Sequence, residues 1–270
     1  MLAETRSLLK EYGIRPKKRL GQNFIVSRGA VETLLKAAKL QPGYVVYEIG
    51  AGLGTLTQAL ADKGTEVMAI EVDYRLIKLL NNRFKGSSKI SIIHADALRF
   101  PIPRVERVIS NVPYNISSQL IVKLLREPAY ELASLTLQRE FALRLIARPR
   151  ASDYGRISVI TQLYSEMEIA GSVSRKAFYP EPEVDSLIVN MKPRKRNVDL
   201  FNTVEKLTAL VFSQRKRKLS KVLRNMSLDP NLFQGIVDLD KRVFELEPLE
   251  LLAMAKVLKE AWEIRDRSRL

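Results

Sequence analysis

Between residues 44 and 138, short apolar runs alternate with stretches whose apolar positions recur at helical spacing, the rhythm of a parallel α/β sheet. The pattern predicts strands over 44–49, 66–70, 90–94, 107–110 and 132–137. Between them it predicts helices over 55–63, 73–84 and 117–126, with Asp73 as the N-cap of the second. A further helix is expected over 138–147. Residues 167–173 and 186–191 read as two late strands around the proline-rich stretch 178–184, and as a closing hairpin they bring the sheet to seven strands, the last antiparallel. From Lys195 onward the pattern is helical, with candidates at 200–212, 215–225 and 248–264. The basic run 192–196 serves as linker, dividing the chain into an α/β domain over 1–194 and a helical domain over 195–270.

Composition narrows the function. Hydrophobic residues make up 46% of the 270, enough for a sizeable core. No apolar run approaches the ~18 residues of a membrane span, and residues 1–18 lack the apolar centre of a signal peptide, so a cytoplasmic monomer is expected. With no cysteine and only His94, disulfides, thiolate sites, histidine metal sites and a Ser-His-Asp triad are excluded, and no metal is expected. His94 itself reads as an ordinary strand residue.

Charge adds a partner. Of the net +15, residues 1–28 hold seven basic and two acidic side chains, and residues 192–224 hold eleven and two. Such segregation suggests a polyanion footprint, nucleic acid above all, with Arg215, Lys216, Arg217 and Lys218 at its centre. The plainer reading is two solvated tails. Apolar anchors interleaved with the charges, such as Leu20, Phe24, Phe212 and Leu219, favour the footprint.

Two motifs carry the chemistry. Glu48-Ile49-Gly50-Ala51-Gly52-Leu53-Gly54 ends the first strand and opens a helix, where glycine lets the backbone turn tightly and approach a ligand. Thr55 stands where the dinucleotide pattern has its third glycine, and no phosphate-binding G-x-x-x-x-G-K-[ST] loop is present, so a nucleoside without phosphates fits better than NAD or FAD. Glu71, ending the second strand, can accept from ribose hydroxyls, and Asp96, after the third, from an adenine amine lying against Val72 and Leu98. S-adenosylmethionine satisfies this set. Alone, the glycines could be a structural turn.

Asn111-Val112-Pro113-Tyr114 follows the fourth strand. The Asn111 oxygen and a backbone carbonyl can accept both hydrogens of an amine, favouring its pyramidal nucleophilic state. Pro113 stiffens the turn, and Tyr114 offers a stacking face for a base. In isolation the tetrapeptide could be a plain turn. Its place beside the glycine loop favours methyl transfer to a base amine.

The chain resembles the rRNA adenine dimethyltransferases of the KsgA/Dim type, an archaeal member in particular. The matching stretches run in order: Leu20-Gly21-Gln22-Asn23-Phe24, the glycine loop, Glu71-Val72-Asp73, Ala95-Asp96-Ala97-Leu98, Asn111 to Tyr114, Phe178 to Ser186 and Phe212 to Leu219. The resemblance implies a Rossmann-like, S-adenosylmethionine-dependent methyltransferase domain with a small helical RNA-binding domain. It implies dimethylation of two adjacent adenosines near the 3′ end of small-subunit rRNA during small-subunit biogenesis. It adds Asn23 and Ile25 to Gly50, Gly52, Glu71, Asp96 and Asn111 at the cofactor, and makes Phe178 a second wall opposite Tyr114 for an extruded base. Ile25 and Val112 stand where the family usually has leucine. Two other readings compete: a large-subunit rRNA adenosine methyltransferase, which shares the pocket, and a non-catalytic RNA-binding factor, which a damaged cofactor site would favour. The intact motifs argue against the latter, and the basic segment and C-terminal helices against the former.

Overall fold

The computed structural model describes residues 1–194 and 198–267; Lys195 and Arg196 of the expected linker lie outside them. The sheet strands are β1 (Val45–Ile49), β2 (Glu66–Glu71), β3 (Ile90–His94), β4 (Val105–Asn111), β5 (Tyr130–Gln138), β6 (Ser165–Val173) and β7 (Ser186–Pro193). Their order across the sheet is β3-β2-β1-β4-β5-β7-β6. β3, β2, β1, β4 and β5 are parallel, and β7 runs antiparallel to β5. The expected seven strands and the antiparallel closing strand are therefore present. Strand direction reverses its spatial progression between β1 and β4, so a crevice opens there at the carboxyl ends, where open α/β sheets bind ligands. Register brings the motifs to one level, with Ile49 opposite Ile70, Glu71 opposite His94 and Asn111 opposite Thr136.

The helices are α1 (Leu2–Glu11), α2 (Arg28–Ala37), α3 (Thr55–Asp62), α4 (Tyr74–Arg83), α5 (Ser117–Arg126), α6 (Arg139–Leu145), α7 (Arg156–Tyr164), α8 (Phe201–Phe212), α9 (Leu219–Asn225) and α10 (Pro248–Arg267). Asp73 caps α4 as expected, accepting from the Arg75 N–H at 3.2 Å. Three helices go beyond the expected elements. α1 lies inside the basic N-terminal segment and buries Leu9 with Ile14, Phe24, Leu53, Leu76 and Leu79. α2 starts at Ser27, whose hydroxyl accepts from Ala30 N–H at 3.3 Å, and packs Leu34 and Leu35 into the main core. α7 is rich in β-branched residues, which favour strands, yet its burial on nearly every side overrides that preference. Residues 215–218, expected to begin a helix, instead form a turn before α9.

The chain divides into two compact units, Met1–Ala142 with Met167–Pro193, and Leu143–Glu166 with Arg194–Leu270. Residues 143–166 thus join the helical unit instead of following the single boundary expected at 194/195. The cause is aromatic packing: Tyr164 meets Phe201 edge-on at 4.8 Å, Tyr154 meets Phe212 at 5.7 Å, and the Tyr154 hydroxyl donates to Leu246 O at 2.7 Å. Among the described residues no helix is long and apolar enough to cross a membrane.

Candidate active site

A cavity of about 280 Å³ occupies the crevice above β1, β2 and β4. Its lining includes Asn23, Ile25, Glu48, Gly50, Gly52, Glu71, Val72, Asp96, Leu98, Asn111 and Pro113. Every expected cofactor residue therefore reaches one space.

The glycine loop is shaped by backbone necessity. Gly50 and Gly52 have φ of 78° and 58°, the left-handed region that L side chains avoid. A Cβ at Gly52 would also lie 3.2 Å from the Phe24 ring, so a side chain there would press on residues lining the cavity. Glu71 locks the loop in place. Its Oε2 accepts from Gly52 N–H at 3.0 Å, and its Oε1 accepts from the N–H groups of Val72 and Asp73 at 2.9 Å each. Burial pushes its carboxyl upward in pKa, and these three donors oppose that shift. Three of about four acceptor positions are thus filled by backbone, leaving Oε2 with the remaining capacity toward the cavity. A two-oxygen grip on both ribose hydroxyls is therefore narrower than the sequence suggests.

Glu48 was read only as part of the loop motif, and the fold gives it more weight. It is 1% exposed, lines the cavity, and neither carboxylate oxygen has a hydrogen-bond partner. The Thr57 hydroxyl beside it is likewise unpartnered. Burial pushes its pKa up to about 8, with the hydroxyl and N–H of Thr57 beside it opposing the rise and the nearby Glu71 charge adding to it. A buried carboxyl without partners costs stability and calls for a ligand group to satisfy it. Only the fold could reveal this, since nothing in the local sequence distinguishes Glu48 from an ordinary strand-end acid.

Asp96 stands at the cavity edge, its side chain 46% exposed. Its Oδ1 accepts from Leu98 N–H at 2.9 Å, which orients the carboxylate, and its Oδ2 lies 3.8 Å from the exposed Arg99 Nε. Asn111 is fixed from its nitrogen side: Nδ2 donates to the Asn23 carbonyl at 2.8 Å, which leaves Oδ1 as a free-facing acceptor. Tyr114 follows in a short 3-10 turn, half-buried and outside the cavity lining, and its hydroxyl meets Ser186 Oγ at 2.9 Å. Burial raises its pKa, so it stays a phenol.

Residues 17–25 cross the crevice as a strap. Gln22 donates to Asp73 Oδ2 at 3.0 Å and accepts from Lys17 N–H at 2.8 Å. Asn115 holds Arg19 O at 3.0 Å, and Arg75 bridges Asp73 to Arg15 O. The Arg75 guanidinium, helped by Gln22, holds the Asp73 carboxyl well below the usual carboxylate range. Arg15, Lys18 and Arg19 face outward from this strap.

Two expectations change. Phe178 is 3% exposed and sits in the main core, paired with Ile25 across a two-stranded ribbon. Its ring packs in the apolar core and, like Tyr114, does not line the cavity. In the basic run, Arg215 spends its guanidinium on Ser152 O at 2.9 Å and Ala151 O at 3.1 Å, lying over the Phe244 ring. Lys216, Arg217 and Lys218 remain exposed, and Lys218 pairs with Asp240 at 3.0 Å.

Comparison with known proteins agrees with this geometry. Residues 13–260 match the family model described as ribosomal RNA adenine dimethylase. A Pyrococcus abyssi protein, "Probable ribosomal RNA small subunit methyltransferase A", is 35% identical over 94% of this chain and 96% of its own length. The Thermotoga maritima "Ribosomal RNA small subunit methyltransferase A" is 35% identical over 96% of this chain and 91% of its own. Among solved structures, a dimethyladenosine transferase from Plasmodium falciparum superposes with TM-score 0.76 at 27% identity, covering 88% of this chain and 96% of that one. The 23S rRNA methyltransferase ErmE superposes with TM-score 0.64 at 28% identity, covering 88% and 100%. The family model, the curated relatives and the methyltransferase fold shared with the solved structures show that the chain belongs to the ribosomal RNA adenine dimethylase family.

Proposed function

We propose that the protein dimethylates N6 of two adjacent adenosines near the 3′ end of small-subunit rRNA, acting as a cytoplasmic monomer during small-subunit assembly. The observation that carries this reading is Asn111, held through Nδ2 by the Asn23 carbonyl so that Oδ1 stays directed as an acceptor. It stands in the same cavity as Glu48, Glu71 and Asp96.

The residues fit S-adenosylmethionine. Gly50 and Gly52 leave room for close backbone approach, and the unpartnered Glu48 carboxyl offers a counter-charge to the ammonium of an amino-acid tail. Glu71 Oε2 and Asp96 suit the ribose and the adenine amine, with Val72 and Leu98 as apolar neighbours. When bound, the cofactor supplies an electrophilic methyl group. The chain's own part is positioning and electrostatics. Asn111 Oδ1 accepts from the adenosine N6–H, which raises electron density on nitrogen and holds it in line. Tyr114, its hydroxyl tied to Ser186, presents a ring of fixed orientation for the extruded base. The proton departs to solvent after transfer, so no dedicated general base is required.

A large-subunit substrate is the competing reading, supported by the likeness to ErmE. The relatives matched over nine-tenths of their length carry small-subunit names, which favours the first. Incubation with labelled S-adenosylmethionine and separately purified unmethylated small and large subunits distinguishes them. Label in the small subunit alone is expected; label in the large subunit alone refutes the proposal.

A further inference from the structure

The groups that suit the cofactor and the group that accepts from the amine stand on opposite sides of the strand reversal. Gly50 and Gly52 follow β1, Glu71 ends β2 and Asp96 follows β3, whereas Asn111 ends β4. Methyl transfer needs donor and nitrogen in line at close approach, and a displacement of ~1 Å can cost on the order of 10²-fold in rate. The spacing of β1 and β4 at their carboxyl ends therefore bears directly on the chemistry.

Backbone pairing stops short of that level. β1 and β4 pair as Val46 with Arg107, Tyr47 with Val108 and Glu48 with Ile109, and the register ends there. One residue further on, the Ser110 hydroxyl donates to the Ile49 carbonyl at 2.7 Å. A side chain thus continues the join where the crevice opens. Just beyond it, a Cβ at Gly50 would lie 3.5 Å from Pro113 Cγ, so the glycine loop runs close against the Pro113 ring. Other bonds fix the motif in other directions. Val112 N–H donates to Thr136 O of β5 at 3.2 Å, and Asn111 Nδ2 donates to the Asn23 carbonyl of the strap. Ser110 supplies the bond toward the glycine loop.

Ser110 is 0% exposed and does not line the cavity, so it touches neither cofactor nor base. The plain alternative is a buried hydroxyl that only satisfies itself. Ser134 of β5 gives a matched comparison: it is equally buried and donates to Asn190 Oδ1 of β7 at 2.7 Å, on the far side of β5 from β4 in the sheet.

We infer that Ser110 is a positioning residue for methyl transfer, its hydroxyl setting the spacing between the glycine loop and the Asn111 acceptor. This deepens the proposed reaction and rests on it for the identity of the nucleophile.

The test compares wild type, Ser110→Ala and Ser134→Ala, each of which loses one buried hydroxyl and keeps a side chain that fits the space. Single-turnover transfer to unmethylated small subunits is measured at saturating S-adenosylmethionine, with cofactor Kd from calorimetry. Ser110→Ala is expected to lower the saturating rate by about tenfold or more while cofactor Kd stays within about twofold, because Gly50, Gly52, Glu71 and Asp96 lie on one side of the join. Ser134→Ala is expected to lower the melting temperature by a similar amount and to keep the wild-type rate. Hydrogen exchange of the protein alone reads the join without substrate, and the Ala51 and Val112 N–H groups are expected to exchange faster in Ser110→Ala only. A wild-type saturating rate in Ser110→Ala overturns the inference, as does an equal loss of rate in Ser134→Ala. A loss that appears wholly as a raised cofactor Kd overturns it too. Failure of the adenosine reading shows separately, as wild-type protein that labels no adenosine although Ser110→Ala still exchanges faster at both amides.

Discussion

Replacing Glu48 by glutamine isolates the most unusual group in the cavity. The wild-type carboxyl is 1% exposed, unpartnered, and has a pKa of about 8 against 4.5 for an exposed glutamate. Between those values the unfolded chain is ionised while the folded one keeps its proton. Stability therefore falls as pH rises from about 4.5 toward 8, by up to on the order of 4 kcal/mol at ~1.4 kcal/mol per pH unit. Glu48→Gln cannot titrate, so its unfolding free energy is expected to be flatter across that window in urea titrations at pH 5, 6, 7 and 8. The absolute level is a poorer guide, because a buried amide without partners itself costs roughly 1–3 kcal/mol. The same group predicts proton release on cofactor binding. At pH 7 a carboxyl with a pKa of about 8 is mostly protonated, and an incoming ammonium favours its ionised form, so calorimetry in buffers of different ionisation enthalpy is expected to show net proton release on binding. Glu48→Gln should bind S-adenosylmethionine more weakly and release none of it. A variant with the wild-type pH dependence of stability, or wild-type protein that binds cofactor without releasing a proton, refutes the reasoning.

Three further outcomes are expected. Tyr114→Phe should retain methyl transfer, since the hydroxyl serves only Ser186, whereas Tyr114→Ala should lose most of it at a similar melting temperature, the stacking face being worth ~1–3 kcal/mol; single-turnover rates with rRNA decide this. Glu71→Ala should weaken cofactor affinity by ~1.5–3 kcal/mol in calorimetry and also lower the melting temperature, because three backbone N–H groups lose their acceptor; unchanged values of both contradict the brace. Asp73→Asn should loosen the strap and raise the cofactor Kd. In wild type the Asp73 contribution is present above its unfolded pKa near 3.8 and lost as pH falls below it, because its folded value is depressed, so Asp73→Asn should cost less at pH 3 than at pH 7.

The sheet was legible because its evidence is local: short continuous apolar runs followed by Gly50, Glu71, Asp96 and Asn111 place those residues at strand ends before any coordinates. Asp73 was legible for the same reason, as a polar residue directly before a helical repeat. α7 was not, since Ile157, Val159 and Ile160 favour strand and become helical only through their tertiary neighbours. Phe178 and Arg215 misled in a related way. Residue type suggested a ring and a cation available to ligand, and packing against Ile25 in one case and two backbone carbonyls in the other redirected them. The Glu48 orphan and the Gln22–Asp73 latch depend on contacts across tens of residues, which no window of sequence contains.

The central claim is that Asn111, in the crevice shared with the glycine loop, directs methyl groups to adenosine N6 in small-subunit rRNA. Mass spectrometry of nuclease fragments from unmethylated small subunits treated with the protein and S-adenosylmethionine tests it most directly. The account predicts two adjacent N6,N6-dimethyladenosines near the 3′ end of the rRNA, absent after treatment with Asn111→Ala protein. Methyl groups on another base or another atom, or unchanged dimethylation by the Asn111→Ala protein, contradict it.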